Sequence, residues 1–204
     1  MTPLAKTLER LAHHPDYVSL RSLPDVRFEL KYATTDNFMG KNVYGDFSEP
    51  FLHRLAFEKL RRAIEILSHE QPGWGLLIFD ALRPRSVQRL LWAHVVGTPQ
   101  EPYVANPDRG SMHNYGCAVD LTVIDSHGRE LDMGTRFDAF DPLSQPNLEV
   151  EHLSQGKLTQ TQIDHRLILR RAMTGAGFLQ LAHEWWHYDA FPGEEVRRRF
   201  TIIE

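Results

Sequence analysis

Two short stretches of sequence decide the fold and the chemistry of this chain: SMHNYGCAVD at residues 111–120 and HEWWH at residues 183–187. Together they offer two imidazoles and one carboxylate to a single metal ion, with Glu184 as a second carboxylate beside it. Three protein ligands, an open position for water and a base are the components of a catalytic zinc site. We therefore take metal-assisted hydrolysis as the working hypothesis.

The choice of ligands has two solutions. On a helix, the literal H-E-x-x-H of residues 183–187 would direct both of its histidines to one metal. The adjacent tryptophans favour a strand instead. We therefore prefer a set in which His113 lies in a loop, Asp120 in the strand that follows, and His187 in the C-terminal segment. Glu184 would then stand beside the open coordination position, where it can take a proton from water and give it to the leaving amine.

The chain contains 11 histidines, so no single one of them indicates a metal site. Only the joint pattern of the two stretches distinguishes the candidate site residues from the other histidines and acids. A single histidine is more often a surface or core residue than a ligand. The same applies to an isolated aspartate, which is often a turn or cap residue. We assign no function to the remaining histidines outside the two stretches, which are His13, His14, His53, His69, His94, His127, His152 and His165.

Bulk composition fits one globular domain covering residues 1–204. The chain is 42% hydrophobic and 25% charged, with a formal net charge of −4, so we expect neither a nucleic-acid nor a membrane partner. The basic run at residues 197–199 is interpreted as a solvated face. The single cysteine, Cys117, excludes an internal disulfide. Without a signal-like or membrane-length apolar run, the expected location is cytoplasmic. No pattern indicates an oligomeric state.

Hydrophobic periodicity and turn residues predict the elements. Strands and helices are interleaved, with hairpin-like successions. This order predicts an α+β fold: a single compact domain with a mainly antiparallel central sheet flanked by helices, and the zinc site in a cleft. The segment at 125–160 is expected to be irregular and to act as a substrate lid. Helices are predicted from Thr2 and Pro3 through Leu11 and at 51–69, 86–96 and 162–174, and strands at 26–32, 76–80, 117–124 and 185–191.

The sequence resembles the VanX-type D-alanyl-D-alanine dipeptidases, zinc enzymes related to the D,D-carboxypeptidases. Residues 111–120 fit that family's S-x-H-x-x-G-x-A-x-D signature, and residues 184–187 fit its E-x-W-H signature. Further agreement is found at 31–38, at Arg83-Pro84 and at 133–138. These blocks are colinear from about residue 26 to 190, so residues 1–25 are expected to be an N-terminal extension.

The resemblance implies zinc-dependent hydrolysis of D-alanyl-D-alanine to free D-alanine, for salvage of a cell-wall dipeptide or for its depletion in glycopeptide resistance. One Zn²⁺ per chain would be bound by His113, Asp120 and His187. Glu184 would be the general base and acid, and Arg83 would stabilise the oxyanion of the tetrahedral intermediate.

The resemblance also implies a substrate pocket. Asp138 would anchor the free α-ammonium of the dipeptide, and Tyr32 and Ser111 would line the pocket. An anchor for a free amine in a confined cavity accounts for dipeptide specificity, because a longer peptide would clash or leave the buried charge unpaired.

Two alternatives stay open. One is a D,D- or L,D-carboxypeptidase of the same fold acting on peptidoglycan stem peptides, and the other is a zinc-binding interaction domain without turnover. This chain also departs from the family pattern at His183, at Leu82 and at Asn114-Tyr115. These departures leave the preferred dipeptide open.

Overall fold

The computed structural model describes residues 2–204 and contains six helices and seven strands among them. The helices are α1 (Pro3–Ala12), α2 (Arg54–Glu70), α3 (Arg85–Val95), α4 (Glu149–Ser154), α5 (Gln160–Gly175) and α6 (Gly193–Arg199). The strands are β1 (Tyr17–Ser19), β2 (Val26–Phe28), β3 (Phe51–His53), β4 (Gly75–Asp80), β5 (Ala118–Ile124), β6 (Leu179–Gln180) and β7 (His187–Asp189).

Five strands form the central sheet, in the order β2-β4-β5-β7-β6. Only β2 and β4 run parallel, and the other three pairs are antiparallel. The predicted α+β class with a mainly antiparallel sheet is confirmed. Every residue of β4 and β5 is buried, which explains their nearly unbroken apolar sequences.

Helices α2 and α5 cover one face of this sheet. The apolar stripe of α2, including Leu60, Ile64 and Leu67, joins Leu169 of α5 and Leu121 of β5 in one core. A stripe at helical spacing is what buries a helix against a sheet. The opposite face is therefore left for polar residues and for a second core.

The second core is built from α1, α3 and the loops between them, with Leu11, Tyr44, Phe47 and Leu91 among its members. Helix α1 begins as predicted, with the Thr2 hydroxyl accepting a hydrogen bond from the backbone N–H of Ala5. No helix among residues 2–204 combines the length and apolar character that crossing a membrane requires. A single domain with residues 1–25 as an extension stays a prediction.

Several element boundaries differ from the prediction because pairing partners far along the chain set them. Residues 51–53 form β3 with β1 instead of the first turn of α2. The strand that begins at Val26 ends at Phe28, and Tyr32 lies in a 3-10 turn. In the C-terminal segment only β7 is extended. Tertiary contacts override local propensity at such short elements.

Two helices were not predicted. Within the segment expected to be irregular, α4 follows a series of 3-10 turns. The basic run at 197–199 lies in α6, whose buried contact is Val196. Both helices are short, so the hydrophobic period that reveals α2 has no room to repeat.

Candidate metal and substrate site

The register of the sheet places three polar side chains next to one another. Asp120 of β5 pairs with His187 of β7 and, on its other side, with Asp80 of β4. Ile78 pairs with Leu121, and a β-bulge then shifts the register before Asp80. Without that extra residue Asp80 would face the helices, so the bulge turns its carboxylate to the same face as Asp120.

His113 is brought to the same place by a short, capped turn. It lies in a 3-10 turn whose N-terminus is closed by reciprocal bonds between Ser111 and Asn114. The turn ends at Gly116, which has a φ of 65°. A Cβ there would stand 2.9 Å from the backbone nitrogen of His53. Glycine is required on both counts, which explains its place in the signature.

The three candidate ligands converge on one point. His113, Asp120 and His187 are all buried, and one donor atom from each lies within 4.8 Å of the other two. Nε2 of His113 is 3.2 Å from Nδ1 of His187, and Nδ1 of His187 is 2.9 Å from Oδ1 of Asp120.

The outer nitrogens of both imidazoles are already occupied. Nδ1 of His113 lies 2.6 Å from the carbonyl oxygen of Ala81, and Nε2 of His187 lies 2.9 Å from Oδ1 of Asp189. These oxygens accept, so the outer nitrogens carry hydrogens, and the inner nitrogen of each imidazole, when neutral, offers a lone pair beside the carboxylate of Asp120. Such an electron-rich point fits a cation, and these residues could hold a metal ion.

The ionisation of these groups agrees with that conclusion. Burial alone would raise the pKa of Asp120, but attraction and hydrogen bonds from His113 and His187 outweigh burial and lower it. Burial would lower the pKa of His187, yet Asp189 and Asp120 raise it well above the usual value. The carboxylates that favour a proton on His187 also favour a metal ion in the proton's place.

Glu184 stands at the edge of this cluster. Its Oε2 atom is 3.9 Å from Nδ1 of His187. Residues 183–186 are not helical and His183 is exposed, so the preference against a helical H-E-x-x-H is confirmed. Burial raises the pKa of Glu184 to about 7. A carboxyl group with that pKa can both take and give a proton near neutral pH.

Arg83 is held in place by buried partners. Its Nε and Nη2 atoms lie 2.8 Å and 2.7 Å from Oδ2 of Asp80, and its Nη1 donates to Oε1 of Gln88 over 2.8 Å. Tyr44 donates to the other oxygen of Asp80, and the Tyr32 ring lies 4.7 Å below the guanidinium carbon. The guanidinium is therefore oriented, with Nη2 3.7 Å from Oδ2 of Asp120.

Asp138 enters the site from the long segment between β5 and α4. Its backbone is left-handed, with a φ of 57°, which is uncommon for a residue other than glycine. Oδ1 accepts a hydrogen bond from the Tyr32 hydroxyl over 3.2 Å, while the buried Oδ2 has no partner. Burial first, and then the charge of Asp120, raise the pKa of Asp138 well above its usual range. A cation would satisfy Oδ2.

All the sequence-predicted site residues line one cavity of about 670 Å³. The volume lies within the range of small-molecule sites. Aromatic and apolar side chains, including Phe38, Tyr103 and Phe140, form part of its wall. The predicted residues around it are Tyr32, Arg83, Ser111, His113, Asp120, Asp138, Glu184 and His187.

Four supporting residues were not predicted. Asp189 follows His187 by two positions in a strand, and alternate strand residues share a face, so this signal was available. Asp80 also had a signal, as a carboxylate that ends an apolar run. Tyr44 and Gln88 had none, because they reach the site through contacts distant in the chain.

Comparisons with known proteins agree with this geometry. The peptidase M15 family model, described as D-ala-D-ala dipeptidase, matches residues 15–203. A D-alanyl-D-alanine dipeptidase of Escherichia coli (strain K12) is 37% identical over 166 residues, which cover 81% of this chain and 79% of the relative. Proteins of the same name from Enterococcus faecium and Streptomyces coelicolor are 34% and 33% identical over 182 and 180 residues, in each case 80% of this chain and 85% of the relative. The chain therefore belongs to the D-ala-D-ala dipeptidase family of M15 peptidases.

Proposed function

We propose that this protein is a zinc-dependent dipeptidase that hydrolyses D-alanyl-D-alanine to two molecules of D-alanine. The observation that carries the proposal is the joint presence in one cavity of a buried His–Asp–His cluster, Glu184 and the unpartnered carboxylate oxygen of Asp138. The names of the relatives supply the substrate. The geometry supports it, because the site has a partner for a free ammonium close to the hydrolytic groups.

The donor set supports zinc as the metal. Two imidazole nitrogens and one carboxylate oxygen suit a borderline-soft ion, and three protein ligands leave a position open. When bound, zinc would polarise the scissile carbonyl and lower the pKa of water. Zinc would be held by Nε2 of His113, Nδ1 of His187 and the carboxylate of Asp120, each fixed by the hydrogen bonds described above.

Glu184 would move the proton. With a pKa near 7, its carboxylate can take a proton from the attacking water as the new C–O bond forms. The same carboxyl group then gives that proton to the amide nitrogen as the C–N bond breaks. One water is consumed, and the products are two amino acids.

Arg83 would stabilise negative charge in the transition state, and Asp138 would position the substrate. The fixed guanidinium of Arg83 would face the oxygen that gains negative charge, and one such donor contributes about 3–4 kcal/mol to the transition state. Oδ2 of Asp138 would bind the α-ammonium of the substrate. An N-blocked or longer peptide would leave this carboxylate unpaired, and that penalty selects a free dipeptide.

The test is release of D-alanine from D-alanyl-D-alanine by the zinc-loaded protein, beside a pentapeptide that ends in D-alanyl-D-alanine. We expect cleavage of the dipeptide alone. Glu184→Gln should lower kcat by a factor on the order of 10³ while the zinc content stays near one per chain, because Glu184 acts on the proton and is not a ligand.

The other outcomes identify the alternatives. Cleavage of the pentapeptide would make the protein a carboxypeptidase. Tight zinc binding with no turnover of either peptide would indicate a binding domain. The predicted cytoplasmic location stays a prediction.

A further inference from the structure

A dipeptide carries a charge at each end, and the cavity must accommodate both. Among residues 2–204, the arginine side chains that line the cavity are Arg83 and Arg197. Arg83 is already bound to Asp80 and Gln88. Arg197 forms no ion pair within 4.0 Å in this part of the chain, and its Nε donates to the backbone carbonyl of Arg109 over 3.3 Å. Its terminal nitrogens are therefore available.

Arg197 lies beside the turn that carries His113. It belongs to α6, and Gly193 at the start of that helix lies against both Arg197 and Met112. A Cβ on Gly193 would stand 3.0 Å from Nη1 of Arg197 and 3.6 Å from Sδ of Met112. Met112 is the residue between Ser111 and His113, and all three line the cavity.

Asp138 has a different set of neighbours in the same cavity. Asp138 is tied to Tyr32, and Phe140, two residues on, contacts Phe38 and Tyr103 with ring centroids 5.1 Å and 5.3 Å apart. The termini of an extended dipeptide lie about 6–7 Å apart. Its ammonium and carboxylate therefore require two separate partners of opposite charge.

Ser111 offers a second donor on the Arg197 side. Its hydroxyl oxygen accepts from the backbone N–H of His113 over 3.3 Å. A hydroxyl that accepts in this way keeps its hydrogen free to donate. A planar guanidinium and a hydroxyl suit a carboxylate group, which takes parallel N–H···O bonds from arginine.

We propose that Arg197, with the hydroxyl of Ser111, binds the free C-terminal carboxylate of the substrate and makes the enzyme selective for it. The inference rests on the proposed dipeptidase function and adds the residue that recognises the second terminus. Arg197 is exposed at the cavity wall, so the carboxylate is bound from the solvent side and the interaction is screened by salt.

The test compares D-alanyl-D-alanine with its C-terminal amide, using the zinc-loaded wild type, Arg197→Gln and Arg198→Gln. Arg198 is the matched control, because it is the adjacent exposed arginine of the same helix and does not line the cavity. For the acid, Arg197→Gln should lower kcat/KM about tenfold, mainly through KM, as expected for a charged hydrogen bond near solvent. For the amide, the same variant should change kcat/KM less than twofold.

Two further readouts separate recognition from support of the fold. The wild-type KM for the acid should rise with ionic strength, and this dependence should be weaker in Arg197→Gln. Arg197→Lys should recover part of the loss, because it keeps the charge without the planar fork.

The outcomes are distinct. Equal losses on acid and amide would mean that Arg197 only supports the loop through Arg109, and this would overturn the inference. Equal behaviour of the 197 and 198 variants on the acid would overturn it as well. If the wild type cleaves neither substrate, the dipeptidase proposal fails first, and the inference falls with it.

Discussion

The site has two parts that are built in different ways. The proposed metal ligands lie on neighbouring strands and on a capped turn, so backbone hydrogen bonds fix their positions. Asp138 lies in the segment between β5 and α4, where no strand ladder holds it. The proposed site therefore combines one half whose geometry is set by sheet register with another half whose geometry is set by side-chain packing.

The packing around Asp138 is nevertheless specific. The ring of the preceding Phe137 lies 5.1 Å from that of Phe79 and 5.5 Å from that of Trp186. Nε1 of Trp185 donates to the hydroxyl of Thr135 over 2.8 Å. The two tryptophans that precede His187 thus contact the segment that carries Asp138, and they connect the two halves of the site.

The largest expected effect on activity comes from a change among the proposed metal ligands, in the half of the site that sheet register fixes. Asp120→Asn removes the ligand charge between His113 and His187, so we expect loss of bound metal and a fall in kcat/KM on the order of 10³ or more. Metal content after dialysis and D-alanine release measure the two effects.

A matched control lies two residues on in the same strand. Thr122 is buried on the face of Asp120, and its hydroxyl has no partner among the described residues. Thr122→Val should leave metal content and activity within about twofold, because it removes no hydrogen bond. Metal loss in this variant too would mean that β5 tolerates no change and that the Asp120 result reports folding.

The half fixed by packing should give a smaller and different effect. Asp138→Asn removes the charge that binds the ammonium, and we expect kcat/KM for D-alanyl-D-alanine to fall about 100-fold. Metal content and Tm should change little, because asparagine also tolerates a left-handed backbone. The wild type should already be poor on N-acetyl-D-alanyl-D-alanine, and the variant should lose little more on it. An equal further loss on the blocked substrate would contradict the proposed role.

The contrast between the two halves also explains what the sequence could predict. His113, Gly116, Asp120, Glu184 and His187 fall in short stretches, where spacing along one strand or turn becomes spacing in the site. The α+β class followed from the buried strands and the long stripe of α2. These features depend on near neighbours in the chain.

The features that escaped prediction depend on distant partners. The bulge that turns Asp80 toward Asp120 arises from pairing between β4 and β5. The sequence of β4 contains no residue that predicts it. Gln88 is 0% exposed on α3 and bridges Arg83 to the carbonyl of Ala105. The resemblance suggested a role for Asp138 and its block, but no residue pattern around it indicated a left-handed backbone at that position.

The smallest expected effect tests how tightly the start of β5 is packed. Cys117 is fully buried, and burial first, then the nearby charge of Asp189, raise the pKa of its thiol to about 12. The unfolded thiol ionises near pH 8.5. In the folded state the thiol therefore stays protonated to a higher pH than in the unfolded chain. Its contribution to the free energy of unfolding is complete below pH 8.5 and is lost as the pH rises toward 12. From pH 8 to 10 the free energy of unfolding should fall by about 1–2 kcal/mol from this group.

Urea unfolding at pH 8, 9 and 10 measures that fall, with Cys117→Ala as the control. The variant has no thiol to ionise, so its free energy of unfolding should decline less over this interval, whatever the substitution costs at pH 8. Alkylation of the native wild type at pH 8 should also be far slower than that of the unfolded chain, because the thiolate is the reactive form. Parallel declines in the two proteins together with rapid alkylation would show that the start of β5 opens readily. The strand that carries Asp120 would then be no more rigid than the segment that carries Asp138, and the distinction between the two halves of the site would not hold.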